Sequence, residues 1–210
     1  MSRGEADDEL KRTFSVLAED IELARAYGKN NNSPYAQRTL LRTHFALIEG
    51  VSYLLRQIAI ATAEVFSPAE LATLSEKTYT LDKQGNIQER DNYLKALPAL
   101  LFTLRCYARV HGAIFQLETG SEGWRCMQAY VAIRNRLAHP KKAVDLQLSD
   151  AELQECLKAA EWFKTTFKKL LEACEAADNL CRSRGATQPT VQRDGPPPAG
   201  PRVNLGDSHS

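Results

Sequence analysis

The chain has 210 residues, of which 43% are hydrophobic and 25% charged, with a formal net charge of +1. That length supports one sizeable core and is short for two; so neutral a chain has no global field to attract nucleic acid, and any RNA affinity rests on a local patch. The five cysteines (Cys106, Cys126, Cys156, Cys174 and Cys181) include no Cys-x-x-Cys pair, which speaks against a disulfide scaffold or a zinc site and for a reducing, cytoplasmic setting.

The first residues, Met1 to Asp8, are charged and lack the apolar core of a signal peptide. Helical periodicity starts with Leu10, Phe14, Leu17, Ile21 and Ala24, predicting a first helix that stops at Gly28. Asn30 to Pro34 reads as a turn, with Ser33 as N-cap and Pro34 at the first helical position. The second helix carries Leu41, Phe45, Ile48, Val51, Leu55, Ile58 and Thr62 on its core side. Ser67-Pro68-Ala69-Glu70 is a capping box for a short third helix. Thr78–Leu81 and Asn86–Gln88 then flank Asp82-Lys83-Gln84-Gly85, a β-hairpin pattern with Gly85 at positive φ.

A fourth helix is expected over 92–117, with Leu97, Leu100, Leu101, Leu104, Tyr107, Ile114 and Phe115 on its apolar side and Pro98 near its start. Thr119 to Gly123 breaks it, and a fifth helix begins near Trp124. Ser149-Asp150-Ala151-Glu152 is a second capping box, opening a last helix lined by Leu153, Leu157, Ala160, Phe163, Phe167, Leu170 and Leu171. Glu49, Arg56, Arg105 and Arg109 interrupt the apolar runs before they reach membrane-spanning length, so no membrane partner is expected. From Arg182 onward Gly and Pro dominate and aromatics vanish, as in a disordered tail. These elements predict an all-α, up-and-down bundle of four to five main helices with a small β-hairpin insertion. Its parts are an N-terminal helix and turn over 1–33, the bundle proper over 34–181, and a Pro/Gly-rich tail over 182–210.

The most informative stretch is Arg134-Asn135-Arg136-Leu137-Ala138-His139-Pro140, at the end of the fifth helix. A guanidinium can brace a phosphate, and an imidazole can pass a proton near neutral pH. Loose Arg-to-His spacing also occurs from Arg38 to His44 and from Arg105 to His111. At ~100° per residue, however, both arginines of those pairs fall on polar sides while both histidines point into apolar ones. Over 124–138, Cys126, Met127, Tyr130, Val131, Ile133, Leu137 and Ala138 share one arc. Arg134 lies in the middle of that arc, with Arg125, Gln128, Asn135 and Arg136 on the other side. A guanidinium aimed into an apolar face is costly unless a partner or ligand meets it. A purely structural account makes Arg134 one half of a buried ion pair and His139 a favourable helix-end residue stopped by Pro140.

This block resembles the Arg-Asn-x-x-x-His signature of the HEPN superfamily (higher eukaryotes and prokaryotes nucleotide-binding). The resemblance extends over roughly residues 35–178 in helix order and spacing, and its specific part is confined to about 124–141. Trp124 through Ile133, the motif, Pro140-Lys141, and a capped amphipathic helix look like bacterial HEPN proteins of toxin and phage-defence systems. The resemblance implies a metal-independent endoribonuclease that works as a homodimer, two motifs facing each other across a two-fold axis. By the same resemblance, Arg134 stabilises charge on the phosphorus oxygens, His139 acts on the attacking 2′-hydroxyl or the leaving 5′-oxygen, and Asn135 positions His139 or the phosphate. The products would be a 2′,3′-cyclic phosphate and a 5′-hydroxyl. No cofactor or metal is implied. Arg125, Arg136, Lys141 and Lys142 form the expected RNA-binding patch, with a solvated basic face as the plain alternative. RNA is the expected partner, beside an antitoxin or a larger defence-system protein. The other reading is a non-catalytic HEPN module that binds nucleotide or RNA, or docks on a larger protein; a purely structural bundle would leave Arg134 unexplained.

Overall fold

The computed structural model describes residues 2–186, with side chains through Ser183. Helices α1 (Arg3–Asn30), α2 (Pro34–Ile60), α4 (Ala96–Val110), α5 (Glu122–Ala138) and α6 (Asp150–Ala186) form the bundle, and α3 (Pro68–Leu74) is a single short piece. The insertion is an antiparallel hairpin of β1 (Lys77–Leu81) and β2 (Ile87–Asp91), in register Leu81 opposite Ile87. The fold is therefore the expected all-α bundle with a small β-hairpin.

The local chemistry explains most element ends. Ser33 Oγ accepts from Ala36 N (3.2 Å) with Pro34 at the start of α2. The Ser67/Glu70 and Ser149/Glu152 boxes both form, each serine hydroxyl accepting from the glutamate N–H and each glutamate from the serine N–H. Gly85 sits at φ +83°, and the Asp82 carboxylate accepts from Gln84 N and Asn86 N, both at 2.8 Å.

Three expectations are corrected. First, α1 spans 28 residues, starting from a capping box between Ser2 and Glu5 and passing through Gly28 to end at Asn31. A helical glycine costs only about 1 kcal/mol, whereas Asn31 satisfies the Tyr27 carbonyl through its backbone N–H (3.0 Å) and carboxamide (3.4 Å). Ala6 and Leu10 of α1 are buried in the same core as α2, α5 and α6, so α1 packs as part of the bundle. Second, α4 has 15 residues, since Pro98 must sit in a first turn and Gly112 adopts φ +64° just past the helix end. Beyond it the chain has no regular structure, and Ile114 is 92% exposed. Third, α6 continues past Arg182 to Ala186. The expected disordered tail over 187–210 lies outside the described residues.

The core runs through Leu41, Val51, Leu55 and Ile58 of α2, Leu104 of α4, Met127 and Leu137 of α5, and Phe163 and Leu170 of α6. Such side chains contribute roughly 1.5–3 kcal/mol each before ordering entropy is subtracted. α5 lies close against α6: a Cβ on Gly123 would come within 2.6 Å of Trp162 Cδ1, so this helical position has room for glycine alone. Trp124 and Trp162 pack with ring centroids 5.2 Å apart. Four of the five cysteines are buried and all five are free thiols. Burial pushes Cys106 up to about 11 and Cys156 and Cys174 to about 12, which keeps these thiols protonated and unreactive.

His44 faces the core, as its helical position predicts; it is 8% exposed, and its Nε2 has no hydrogen-bond partner among the described residues. Burial lowers its pKa from 6.5 to about 4, with a smaller contribution from Arg25. The folded protein thus refuses a proton that the unfolded chain takes up below pH 6.5, so stability is full above that pH and falls as pH drops toward 4. The expected loss over this window is roughly 3 kcal/mol. Chemical denaturation of wild type and His44→Leu between pH 7 and 4 checks it: the wild-type slope disappears in the variant, and equal slopes in both would contradict the assignment.

Candidate functional site

α5 places the motif at one end of the bundle. Ser121 caps its start, accepting from Trp124 N at 3.3 Å, and Pro140 ends it. His139 is the C-cap, at φ −127° and ψ 59°, outside the α region as a residue before proline prefers. Its backbone N–H reaches Asn135 O (3.0 Å), and its exposed ring has no hydrogen-bond partner among the described residues.

Arg134 is 33% exposed, not sunk in the apolar face. The buried residues of α5 are Trp124, Cys126, Met127, Tyr130, Ile133 and Leu137, whereas Val131 is half-buried and Ala138 exposed. On the wheel Arg134 still falls within the buried arc, between Met127 at about 20° and Tyr130 at about 40°, yet its guanidinium reaches solvent. One guanidinium nitrogen meets Glu49 Oε1 of α2 at 2.5 Å, and the other donates to Asn135 Oδ1 at 3.1 Å. Glu49 is 55% exposed, so this is a surface ion pair worth at most about 1 kcal/mol. The partner that Arg134 requires is thus supplied by its own chain. Asn135, expected to position His139 or the phosphate, accepts from the Arg134 guanidinium through its Oδ1.

Arg136 lies on the opposite side of α5. It donates to Asp145 O (3.1 Å) and Gln147 O (2.7 Å) and pairs with Glu152 Oε1 at 2.5 Å. Glu152 is the capping residue of α6, and its carboxyl is held below the usual range by the Ser149 N–H first, with Arg136 adding to it. Arg136 is therefore a strut joining α5 to the loop and to α6, not a free cation of an RNA patch. Lys141 and Lys142 are exposed, and their backbone N–H groups are tied to Asp145 Oδ2 at 2.7 and 2.9 Å. Arg125 is exposed too but lies about 21 Å from His139 along the helix. Two lysines beside His139 are what remains of the expected patch.

Beside Arg134 lies a cavity of about 470 Å³ between α2, α4 and α5, which the sequence did not point to. Its wall includes Arg134, Asn135, Glu49, Tyr53, Tyr93 and Tyr130. Tyr130 is 3% exposed, with its ring held against Phe45 (centroids 4.5 Å apart, edge-on) and its hydroxyl without a hydrogen-bond partner among the described residues. A buried hydroxyl left unpaired costs about 1–3 kcal/mol. Burial raises its pKa far above the ordinary phenol range, so it keeps its proton as a donor. On the far side, Arg56 pairs with Glu76 at 2.7 Å. Periodicity marks Tyr130 as core and Glu49 as an interruption of an apolar run; nothing local in either signals that they share a cavity with Arg134.

The other two Arg–His spacings do not converge on a site. Arg38 donates to Leu146 O at 3.1 Å and Arg105 is exposed, while His111 bonds Asp178 Oδ2 at 2.8 Å. Among the described residues, no group of three or more His, Cys, Asp or Glu is placed to hold a metal ion, and no helix is long and apolar enough to cross a membrane. No family model, curated protein or solved structure matches this chain.

Removing Arg136 severs three contacts and leaves Glu152 without its cation. Arg136→Ala is expected to cost about 1–3 kcal/mol, seen as a lower thermal midpoint that Arg136→Lys restores only in part, because lysine lacks the fork. An unchanged midpoint in Arg136→Ala would show that the strut is idle.

Proposed function

We propose that this chain is a metal-independent endoribonuclease of HEPN type that acts as a homodimer in a toxin or phage-defence setting. The observation that carries this reading is the end of α5. There an accessible guanidinium held in a weak surface pair and an exposed imidazole without a hydrogen-bond partner among the described residues belong to one Arg-Asn-x-x-x-His block, with two exposed lysines next to them.

In this reading a scissile phosphate displaces Glu49 from Arg134, an exchange that costs little because the pair is solvent-exposed. Arg134 then stabilises the negative charge that builds on the non-bridging oxygens. The 2′-oxygen forms a bond to phosphorus as its proton is removed, the bond from phosphorus to the 5′-oxygen breaks, and that oxygen takes up a proton. His139 serves one of these two transfers, and its copy in the second protomer is available for the other. Asn135 keeps the guanidinium turned toward the phosphate. Lys141 and Lys142 hold the flanking backbone by charge alone. The Arg134–Glu49 pair is also what a non-catalytic binding module would show, with the arginine spent on structure.

RNA cleavage in EDTA decides between the two. Wild type should cut, His139→Ala should lose about 10²–10⁴-fold in rate with its helical content and thermal midpoint retained, and Arg134→Ala should also lose activity. Wild type and His139→Ala equally inert on a broad panel of RNAs would favour the binding module. Cleavage only with added Mg²⁺ would refute the mechanism.

A further inference from the structure

We infer that the cavity between α2, α4 and α5 is a base pocket: it takes one unstacked nucleobase whose attached phosphate rests on Arg134, and the Tyr130 hydroxyl reads the edge of that base. This rests on the reading of Arg134 as the residue that meets phosphate, and it adds what selects the RNA.

Four features of the cavity point the same way. Its volume, about 470 Å³, lies within the roughly 300–1,000 Å³ of small-ligand pockets and accommodates a base with its sugar. Its lining includes the exposed rings of Tyr53 and Tyr93, 52% and 82% accessible. Arg56 lies over one face of the Tyr53 ring, 5.9 Å from its centroid, and Tyr93 offers the more open aromatic surface. Single-stranded RNA is read in this way, its bases splayed out, stacked on tyrosine or arginine planes and hydrogen-bonded along their edges. Tyr130 lines the cavity, and among the described residues its buried hydroxyl has no hydrogen-bond partner. It is fixed by the Phe45 contact and can donate to a ring nitrogen or carbonyl oxygen. Arg134 and Asn135 line the same cavity, so base and phosphate are met by adjacent turns of one helix.

Such a base can arrive within an RNA chain or on a free nucleotide, and the test separates these sources. Four short oligoribonucleotides differing only in one base beside the cut site, their 2′-deoxy counterparts that cannot be cleaved, and the four nucleoside 3′-monophosphates are titrated against wild type and Tyr130→Phe by calorimetry. The ribonucleotide set is also assayed for cleavage. Wild type should prefer one base by about fivefold, the worth of one neutral hydrogen bond, and Tyr130→Phe should bring the preferred base down to the level of the others. Because that hydroxyl has no partner among the described residues, the variant should melt no lower than wild type, so that a lost base preference reports the hydroxyl and not the fold. Preference confined to the oligonucleotides assigns the pocket to a base within RNA, and equal preference among the monophosphates assigns it to a free nucleotide. Tyr130-dependent preference without cleavage upholds the pocket and overturns the nuclease. Cleavage with no base preference, or with a preference that Tyr130→Phe leaves intact, overturns the pocket and spares the nuclease.

Discussion

The rotation of α5 about its own axis decides what the rest of the molecule presents. A stripe of buried residues, Met127, Tyr130, Ile133 and Leu137, faces the core. Arg134 lies within the angular span of that stripe, between Met127 and Tyr130, and Arg136 lies about 160° from Arg134, beyond Ile133. Each is fastened by a glutamate from a different neighbouring helix, Glu49 of α2 and Glu152 of α6. A turn of α5 by a fraction of a residue would break one clamp and drive the other guanidinium into apolar surroundings, where an unpaired charge is expensive. The two arginines thus hold one rotation, and that rotation sets the motif at the rim of the cavity.

The clamps are not equivalent. Arg136 makes three contacts, two of them to backbone carbonyls, and lies under the loop that follows His139. Arg134 makes one contact to an exposed carboxylate and one to its own neighbour in sequence. The firm clamp suits a structural element; the loose one suits a residue that must exchange partners when a phosphate arrives. This asymmetry is the physical reason to assign chemistry to Arg134 and architecture to Arg136, although both belong to the same short block.

Much of the fold was legible. Ser33-Pro34, Ser67-Pro68-Ala69-Glu70 and Ser149-Asp150-Ala151-Glu152 each state a helix start in local chemistry, and Asp82 to Gly85 states a turn. Helix ends set by a balance of small terms were not. Gly28 is outweighed by Asn31, and the apolar run after Val110 looks helical until Gly112 takes positive φ. Arg134 was found by its place within the apolar arc of the wheel, but the wheel does not show that its guanidinium reaches out to Glu49 at the surface. Arg136 read as a solvated cation because its acceptors, at Asp145, Gln147 and Glu152, come from a turn whose path periodicity does not describe. The Tyr130 cavity depends on three helices meeting, and no window of sequence contains that information.

The chemistry of the ends left on RNA tests the central claim most directly, because it reports which oxygen attacked phosphorus. If Arg134 and His139 act on a 2′-hydroxyl, mass spectrometry of the fragments should show 2′,3′-cyclic phosphate on the upstream piece and 5′-hydroxyl on the downstream piece. Fragments ending in 3′-hydroxyl and 5′-phosphate would mean that water attacked instead, and would contradict the account.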